Sequence, residues 1–303
     1  MSAGRPSAAN KKYADWAWGY FFVAPTVIGL IILNIYPIFI TLIMSFSKSA
    51  QFGKFEISGP ENYVKLLADP EVGAAIQNTL VFTLTSVPIG IIISLVLAAL
   101  MSQKIRGVGT YRVIYFMPMI AAPAAVAMVW RLMYNTDYGV LNQVLRAMGF
   151  QGISWLSDSR YAMMSVVITA IWSGLGQQII ILIGAITNVS HSYYEAADID
   201  GASSARKLWS ITVPLVSPSI FFLLITGLIG ALKQFDIVYM FYGKRTAPGL
   251  GDTRTLIHKY YVEAFDVLDK TYASALVMVA FLIIMVFTVI QFIGQKKWVY
   301  YDD

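Results

Sequence analysis

The chain has 303 residues, of which 57% are hydrophobic and only 13% charged, with a mean hydropathy of +0.65 and a formal net charge of +5. A soluble domain carries roughly 25% charged residues to solvate its surface, so a globule surrounded by water is excluded and much of this surface must meet lipid. There is no cysteine, which rules out disulfides, thiolate metal sites and a cysteine nucleophile. The basic residues sit in loops beside apolar stretches, where they read as topology signals and headgroup contacts and not as a nucleic-acid surface.

A helix needs roughly 20 apolar residues to cross the hydrocarbon layer, and about six stretches meet that length. In chain order they cover 19–46, 78–101, 112–134, 162–187, 213–240 and 273–294. Each must be helical, because lipid offers no partner for a free backbone N–H or C=O. Prolines 25, 37, 88, 118, 123, 214 and 218 fall within or at the ends of these stretches, which predicts kinked helices whose freed carbonyls are satisfied by packed neighbours. The expected fold is all-α and polytopic: a cytoplasmic segment over 1–18, one membrane domain over 19–294 and a cytoplasmic tail over 295–303. The first stretch exceeds the roughly 7–15 residues of a signal-peptide core, and no small-x-small cleavage site follows it. It is expected to stay as a helix, opened by an interfacial belt of Trp16, Trp18 and Tyr20.

Lys and Arg in short loops set the orientation. Arg5, Lys11 and Lys12 precede the first stretch; Lys104, Arg106 and Arg112, then Arg206 and Lys207, then Lys296 and Lys297 recur on the same side. The alternate loops balance their bases with Glu56, Glu61, Asp69 and Glu71, and with Asp252, Glu263, Asp266 and Asp269. Both termini are therefore expected in the cytoplasm.

The loop between the fourth and fifth stretches, about 188–212, carries the most information. It reads as a short amphipathic helix held outside the membrane. Ser192 and Glu195 have the S-x-x-E spacing of a capping box. Ala196 and Ala197 are small enough for another protein to approach the backbone, and Gly201 can end or bend the helix. Arg206 and Lys207 place positive charge just before the membrane is re-entered at Pro214 and Pro218.

The pattern here is E-A-A, three residues, G, nine residues, I, one residue, then V-P. Glu195, Ala196, Ala197, Gly201, Ile211 and Pro214 fall on it, with Val213 where leucine is usual and Asp200 and Ala202 beside the glycine. It resembles the signature loop of binding-protein-dependent ABC importer permeases. APTVIGLIILNIYPIFITLIMSFS, PENYVKLLADP, RVIYFMP, YGVLNQVL, WLSD and GALKQFDIVYM extend the likeness over roughly residues 18–295, toward the larger sugar permease of the maltose-transporter branch. The Gly-Gly-Pro turn usual after Tyr239 is replaced by YGKRTAPGLGDT.

The resemblance implies a type I ABC importer permease fold in a bacterial or archaeal cell membrane. It implies four kinds of partner: a second homologous permease, two ATP-binding cassette ATPases, an extracytoplasmic solute-binding protein and a sugar substrate. Glu195, Ala196, Ala197, Asp200 and Gly201 would lie on a coupling helix over 193–205, seated on an ATPase. ATP and Mg would be bound by the ATPases and no cofactor by this chain. A P-loop needs G-x-x-x-x-G-K-[ST], and the nearest segment, Gly243-Lys244-Arg245-Thr246, lacks the upstream glycine and the adjacent hydroxyl.

Transport sites lie near mid-membrane and are lined by polar or aromatic groups. Trp172, Ser173, Gly174, Gln177 and Gln178 interrupt the fourth stretch, and Gly227, Gly230, Lys233, Gln234 and Asp236 the fifth. The resemblance places sugar contacts around 172–174 and 227–234. An indole face suits a sugar ring, amides suit hydroxyls, and glycine admits a ligand to the backbone. The same residue types also serve helix packing. Lys233 and Asp236 are spaced to pair near the outer mouth, and Arg131 to snorkel to the interface.

His191 and His258 are expected at the surface on opposite faces, and there is no H-E-x-x-H or G-x-S-x-G, so neither a metal site nor an enzyme is supported. A secondary transporter would want paired charges in mid-span, which are nearly absent. A non-sugar solute such as glycerol phosphate stays open, with Lys233 the obvious basic group to meet it.

Overall fold

The computed structural model describes residues 8–49, 55–102, 108–243 and 247–300. Arg5, Lys104, Arg106 and residues 244–246, on which the orientation and P-loop readings drew, lie outside them, as does 301–303 of the tail.

Among the described residues, five helices are long and apolar enough to cross a membrane: Trp16–Ser45, Pro70–Met101, Ser159–Thr187, Ser217–Tyr242 and Lys270–Trp298. The remaining crossing, third along the chain, is not the continuous helix expected over 112–134. It breaks into Val108–Ile120 and Pro123–Met133, with Ala122 extended at ψ 136°. The ring of Pro123 crowds the residue before it and drives that residue out of the helical region. The fifth crossing is also interrupted, between Ser217–Leu232 and Asp236–Tyr242. Wider π turns lie just before two other prolines, Ile31–Ile35 before Pro37 and Leu208–Thr212 before Pro214; proline has no N–H to give the ladder, and the turn loosens there. Pro25 and Pro88 are carried inside unbroken helices.

The second and fourth spans form the centre of the bundle. Phe82, Val87, Ile91 and Leu95 of one meet Val166, Ile179 and Leu182 of the other, and Leu223 and Leu228 of the fifth span close the cluster. Lipid tails are as apolar as leucine, so burial alone does not hold such helices together; close approach and interhelical hydrogen bonds do. Ser94 Oγ donates to Gln178 Oε1 at 2.9 Å, which makes Gln178 a tie between the second and fourth spans. A Cβ on Gly227 would stand 3.0 Å from Val87 Cγ1, so the glycine admits the second span to the fifth.

The first span behaves differently. Its most apolar window has no buried residue; Tyr20, Phe22 and Leu33 are each exposed by more than two thirds. Its second half, Tyr36–Ser45, packs against the sixth span.

One end of the bundle is tied by charge. Lys259 Nζ lies 2.8 Å from Glu71, 3.0 Å from Glu263 and 3.3 Å from Asp69, while Arg254 reaches Glu71 at 2.7 Å. Tyr272 Oη donates to Asp69 at 3.0 Å. These contacts join the starts of the second and sixth spans to the loop helix Leu256–Tyr261. Burial works against the Lys259 charge, but hydrogen bonds to Glu71 and Glu263 outweigh it and hold the ammonium above its ordinary range.

His258 is not at the surface. It is fully buried in that loop helix, Nε2 2.8 Å from the Gly243 carbonyl, with the rings of Phe235 and Tyr239 each 6.2 Å away. The loop after the fifth span folds back over the interruption in that span, and the imidazole fills the space. Burial pushes the His258 pKa below its ordinary value, only partly offset by the Gly243 carbonyl.

Candidate functional site

Ser173 is the midpoint of the helix Ser159–Thr187. Beside it lies a cavity of about 340 Å³ lined by Ala170, Ser173, Gly174 and Gln177, by Gln234, Asp236 and Ile237, and by Pro118, Met119, Ala121, Pro123 and Val126. The first group recurs at i, i+3, i+4 and i+7, which places it on one face of the uninterrupted fourth span. The other two groups come from the interruptions of the fifth and third spans. The cavity therefore forms where two broken helices face a continuous one, the arrangement in which irregular backbone is tolerated at membrane depth.

Each polar group has a definite setting. Ser173 Oγ donates to the Thr169 carbonyl at 2.9 Å, the back-bond by which a serine satisfies itself within an apolar helix. Above it Tyr134 Oη donates to the Ser165 carbonyl at 3.1 Å, and Thr169 is wholly buried beside that pair. Gln234 and Asp236 are available because residues 233–235 are not helical. Among the described residues, the lining contains one carboxylate, that of Asp236, and no Lys or Arg. Lys233 and Asp236 are both exposed, and no ion pair between them is found among the described residues, so the expected pairing does not form. Arg131 does not only point to the interface; its Nη1 donates to the Met240 carbonyl at 3.4 Å.

Of the substrate candidates, Ser173, Gly174, Gln177 and Gln234 are brought together here. Trp172 is not among the lining residues, because one step along a helix turns it about 100° away; its ring packs edge-on against Trp130 at 5.6 Å. Gly227 is a packing contact with Val87, and Gly230 has nothing within 4 Å of where a Cβ would be. Asp236, read in the sequence as an interruption of the fifth stretch, lines the cavity without the Lys233 partner expected for it. The third-span residues of the lining went unread in the sequence. Their signal was there, two prolines flanking the small pair Ala121 and Ala122.

The second candidate region is the loop between the fourth and fifth spans. Its helix, His191–Ile199, starts two residues earlier than a capping box would require: the N-cap is Ser190, with no side-chain cap. Ser192 thus stands inside the first turn and meets Ser190 Oγ at 2.8 Å, while Glu195 pairs with His191 Nδ1 at 3.0 Å. Gly201 ends the helix at φ +70°. The Gly201 N–H donates to the Asp198 carbonyl and the Ala202 N–H to the Ala197 carbonyl, at 3.1 and 2.9 Å, the paired bonds of a Schellman end.

The loop helix has two unlike faces. Tyr194 and Asp198 point to their own chain: Tyr194 Oη meets Thr212 Oγ1 at 3.0 Å, and Lys207 Nζ reaches Asp198 Oδ1 at 2.6 Å. Ala197 is buried between them. Glu195, Ala196 and Asp200 are exposed, and Ile199 is 87% exposed.

A family model described as the binding-protein-dependent transport system inner membrane component matches residues 73–299. The chain is 34% identical to the lactose transport system permease protein LacF of Rhizobium radiobacter, over 95% of this chain and 96% of that one. It is 30% identical to the sn-glycerol-3-phosphate transport system permease protein UgpA of Agrobacterium fabrum, over 93% and 96%. Among solved structures, a chain of a bacterial alginate ABC transporter in complex with an alginate pentasaccharide-bound periplasmic protein superposes with a TM-score of 0.83. That match is at 21% identity and covers 96% of this chain and 97% of that one.

Proposed function

The chain belongs to the family of binding-protein-dependent transport system inner membrane components, and from that premise we propose that it is one permease subunit of an ATP-driven importer for a sugar or oligosaccharide. The observation that carries the substrate class is the mid-span cavity, where Ser173, Gln177 and Gln234 offer neutral hydrogen-bonding groups and, among the described residues, no Lys or Arg awaits an anion. Sugar hydroxyls both donate and accept, and carboxamides match them on both counts. A phosphate would face Asp236 without a counter-charge. The likeness to a glycerol-phosphate permease keeps that solute as the second reading.

The permease works with a second homologous permease, and the unpacked first span offers it an apolar surface. Two ATPases bind ATP and Mg and receive the loop helix through Glu195, Ala196, Asp200 and Gly201, while Ala197, expected on that surface, is buried against its own chain. A solute-binding protein delivers substrate on the opposite side of a bacterial or archaeal cell membrane. This chain moves solute and performs no chemistry of its own. ATPase closure shifts the loop helix and repacks the spans between inward- and outward-open forms, a rigid-body switch.

Purification of the tagged chain from its membrane in mild detergent tests the assembly. A second permease and a P-loop ATPase should accompany it, and Glu195→Lys should lose the ATPase while the chain still inserts. A chain that purifies alone and moves solute under an ion gradient would overturn the reading. With the assembly in vesicles, uptake of neutral disaccharides is expected. Gln177→Ala or Gln234→Ala should raise the half-saturating concentration roughly fivefold, the effect of one hydrogen bond of about 1 kcal/mol. Uptake of glycerol 3-phosphate with no disaccharide uptake would establish the second reading instead.

A further inference from the structure

The loop helix His191–Ile199 hangs between two spans. On its C-terminal side the chain turns at Gly201, runs through Ala202 and Ser203, and becomes helical again at Ser204–Lys207 and the π turn Leu208–Thr212 that enters the fifth span. A helix joined to a span only through such a link would swivel, and a push on it would be absorbed by the link. Two side-chain contacts bridge the gap. Tyr194 Oη meets Thr212 Oγ1 at 3.0 Å, and Lys207 Nζ meets Asp198 Oδ1 at 2.6 Å. Tyr194 and Asp198 are i,i+4 and share one helix face. Lys207 and Thr212 bound the π turn, whose five-residue hydrogen-bond period brings them toward one side, and Thr212 Oγ1 lies 3.4 Å from the Lys207 carbonyl. The two seams run antiparallel, 194 with 212 and 198 with 207, and they lie opposite the exposed Glu195, Ala196 and Ile199.

We propose that Tyr194–Thr212 and Asp198–Lys207 are a pair of struts that lock the loop helix to the entrance of the fifth span, so that motion imposed on its exposed face is delivered to the span. These four are positioning residues, and their role rests on the coupling function proposed above. Asp198 is 62% exposed and Lys207 22%, and such a pair adds little to folding. Their removal should therefore leave the chain folded.

The natural chain has no cysteine, so Ser192→Cys and Phe222→Cys allow paired spin labels on the loop helix and the fifth span without further changes. The labelled chain is measured in its purified complex, before and after ATP with vanadate. The wild-type distance should be narrow and unchanged by nucleotide. Tyr194→Phe with Asp198→Asn should broaden it and make it shift with nucleotide, at unchanged helix content. With Tyr194 retained, Asp198→Lys alone should broaden it, and adding Lys207→Asp should restore the narrow distance. An unchanged distance in the first double variant, or failure of the charge exchange to restore it, would overturn the struts. The coupling reading is checked separately, by whether the wild-type chain retains a P-loop ATPase at all; the distance within the chain is readable in either case.

Discussion

At the scale of the residue, a few positions carry consequences out of proportion to their size. Gly201 holds φ +70°, a backbone state that costs an L side chain about 1 kcal/mol. Gly201→Ala should fray the last turn that presents Ile199 and Asp200, lowering uptake in vesicles while the amount of inserted protein stays constant. His258 makes a prediction about pH. Its pKa is depressed in the folded protein, so the unfolded chain takes up the proton first as pH falls. The stability it contributes is full above the ordinary imidazole value of about 6.5 and is lost as pH falls through the lower folded value. The melting temperature of the detergent-purified protein should fall between pH 7.5 and 5, and His258→Gln should flatten that dependence. The sequence placed this histidine at the surface because a lone histidine in a polar loop gives no sign that the loop folds back onto Phe235 and Tyr239.

At the scale of the element, helices matter most where they fail. The ends of Ser159–Thr187 and Lys270–Trp298 lie within a few residues of the apolar stretches read from the sequence, because twenty or more apolar residues in lipid have no alternative to a helix. The interruptions were less legible. Prolines marked the places, but Pro25 and Pro88 stay inside intact helices while the chain breaks before Pro123; neighbours that can take up the freed carbonyl decide between the outcomes. Pro123→Ala should let Val108–Ile120 and Pro123–Met133 join, shrink the cavity and slow uptake, with the melting temperature unchanged or raised. Gly227→Leu tests the packing of the second and fifth spans. With Val87 already 3.0 Å from a Cβ, overpacking should cost roughly 1–3 kcal/mol and appear as a lower melting temperature.

At the scale of the whole molecule, the chain consists of a packed centre and an unattached arm. The centre is the cluster of the second, fourth and fifth spans, closed at one end by the charged knot around Lys259. The Lys259 side chain is 8% exposed and serves three carboxylates. Lys259→Met should destabilise the protein by about 2 kcal/mol, less than the loss of one partner from a fully buried pair because Glu71 remains half exposed. Thermal unfolding in detergent at fixed salt would measure it. The arm is the first half of the first span, which buries nothing in its own chain.

The sequence by itself determined that this is a helical membrane protein, roughly where it crosses, and, through the spacing of Glu195, Gly201 and Pro214, which family it joins. Those properties are local: apolar length, helix-ending chemistry and a contiguous motif are written in neighbouring residues. Only the tertiary structure decided which polar residues of the spans face a shared cavity. Ser173 and Trp172 are adjacent in sequence, yet one lines it and the other packs on Trp130. That choice depends on the rotation of each helix against its neighbours, which is set by packing across spans far apart in the chain, and no short stretch of sequence records it.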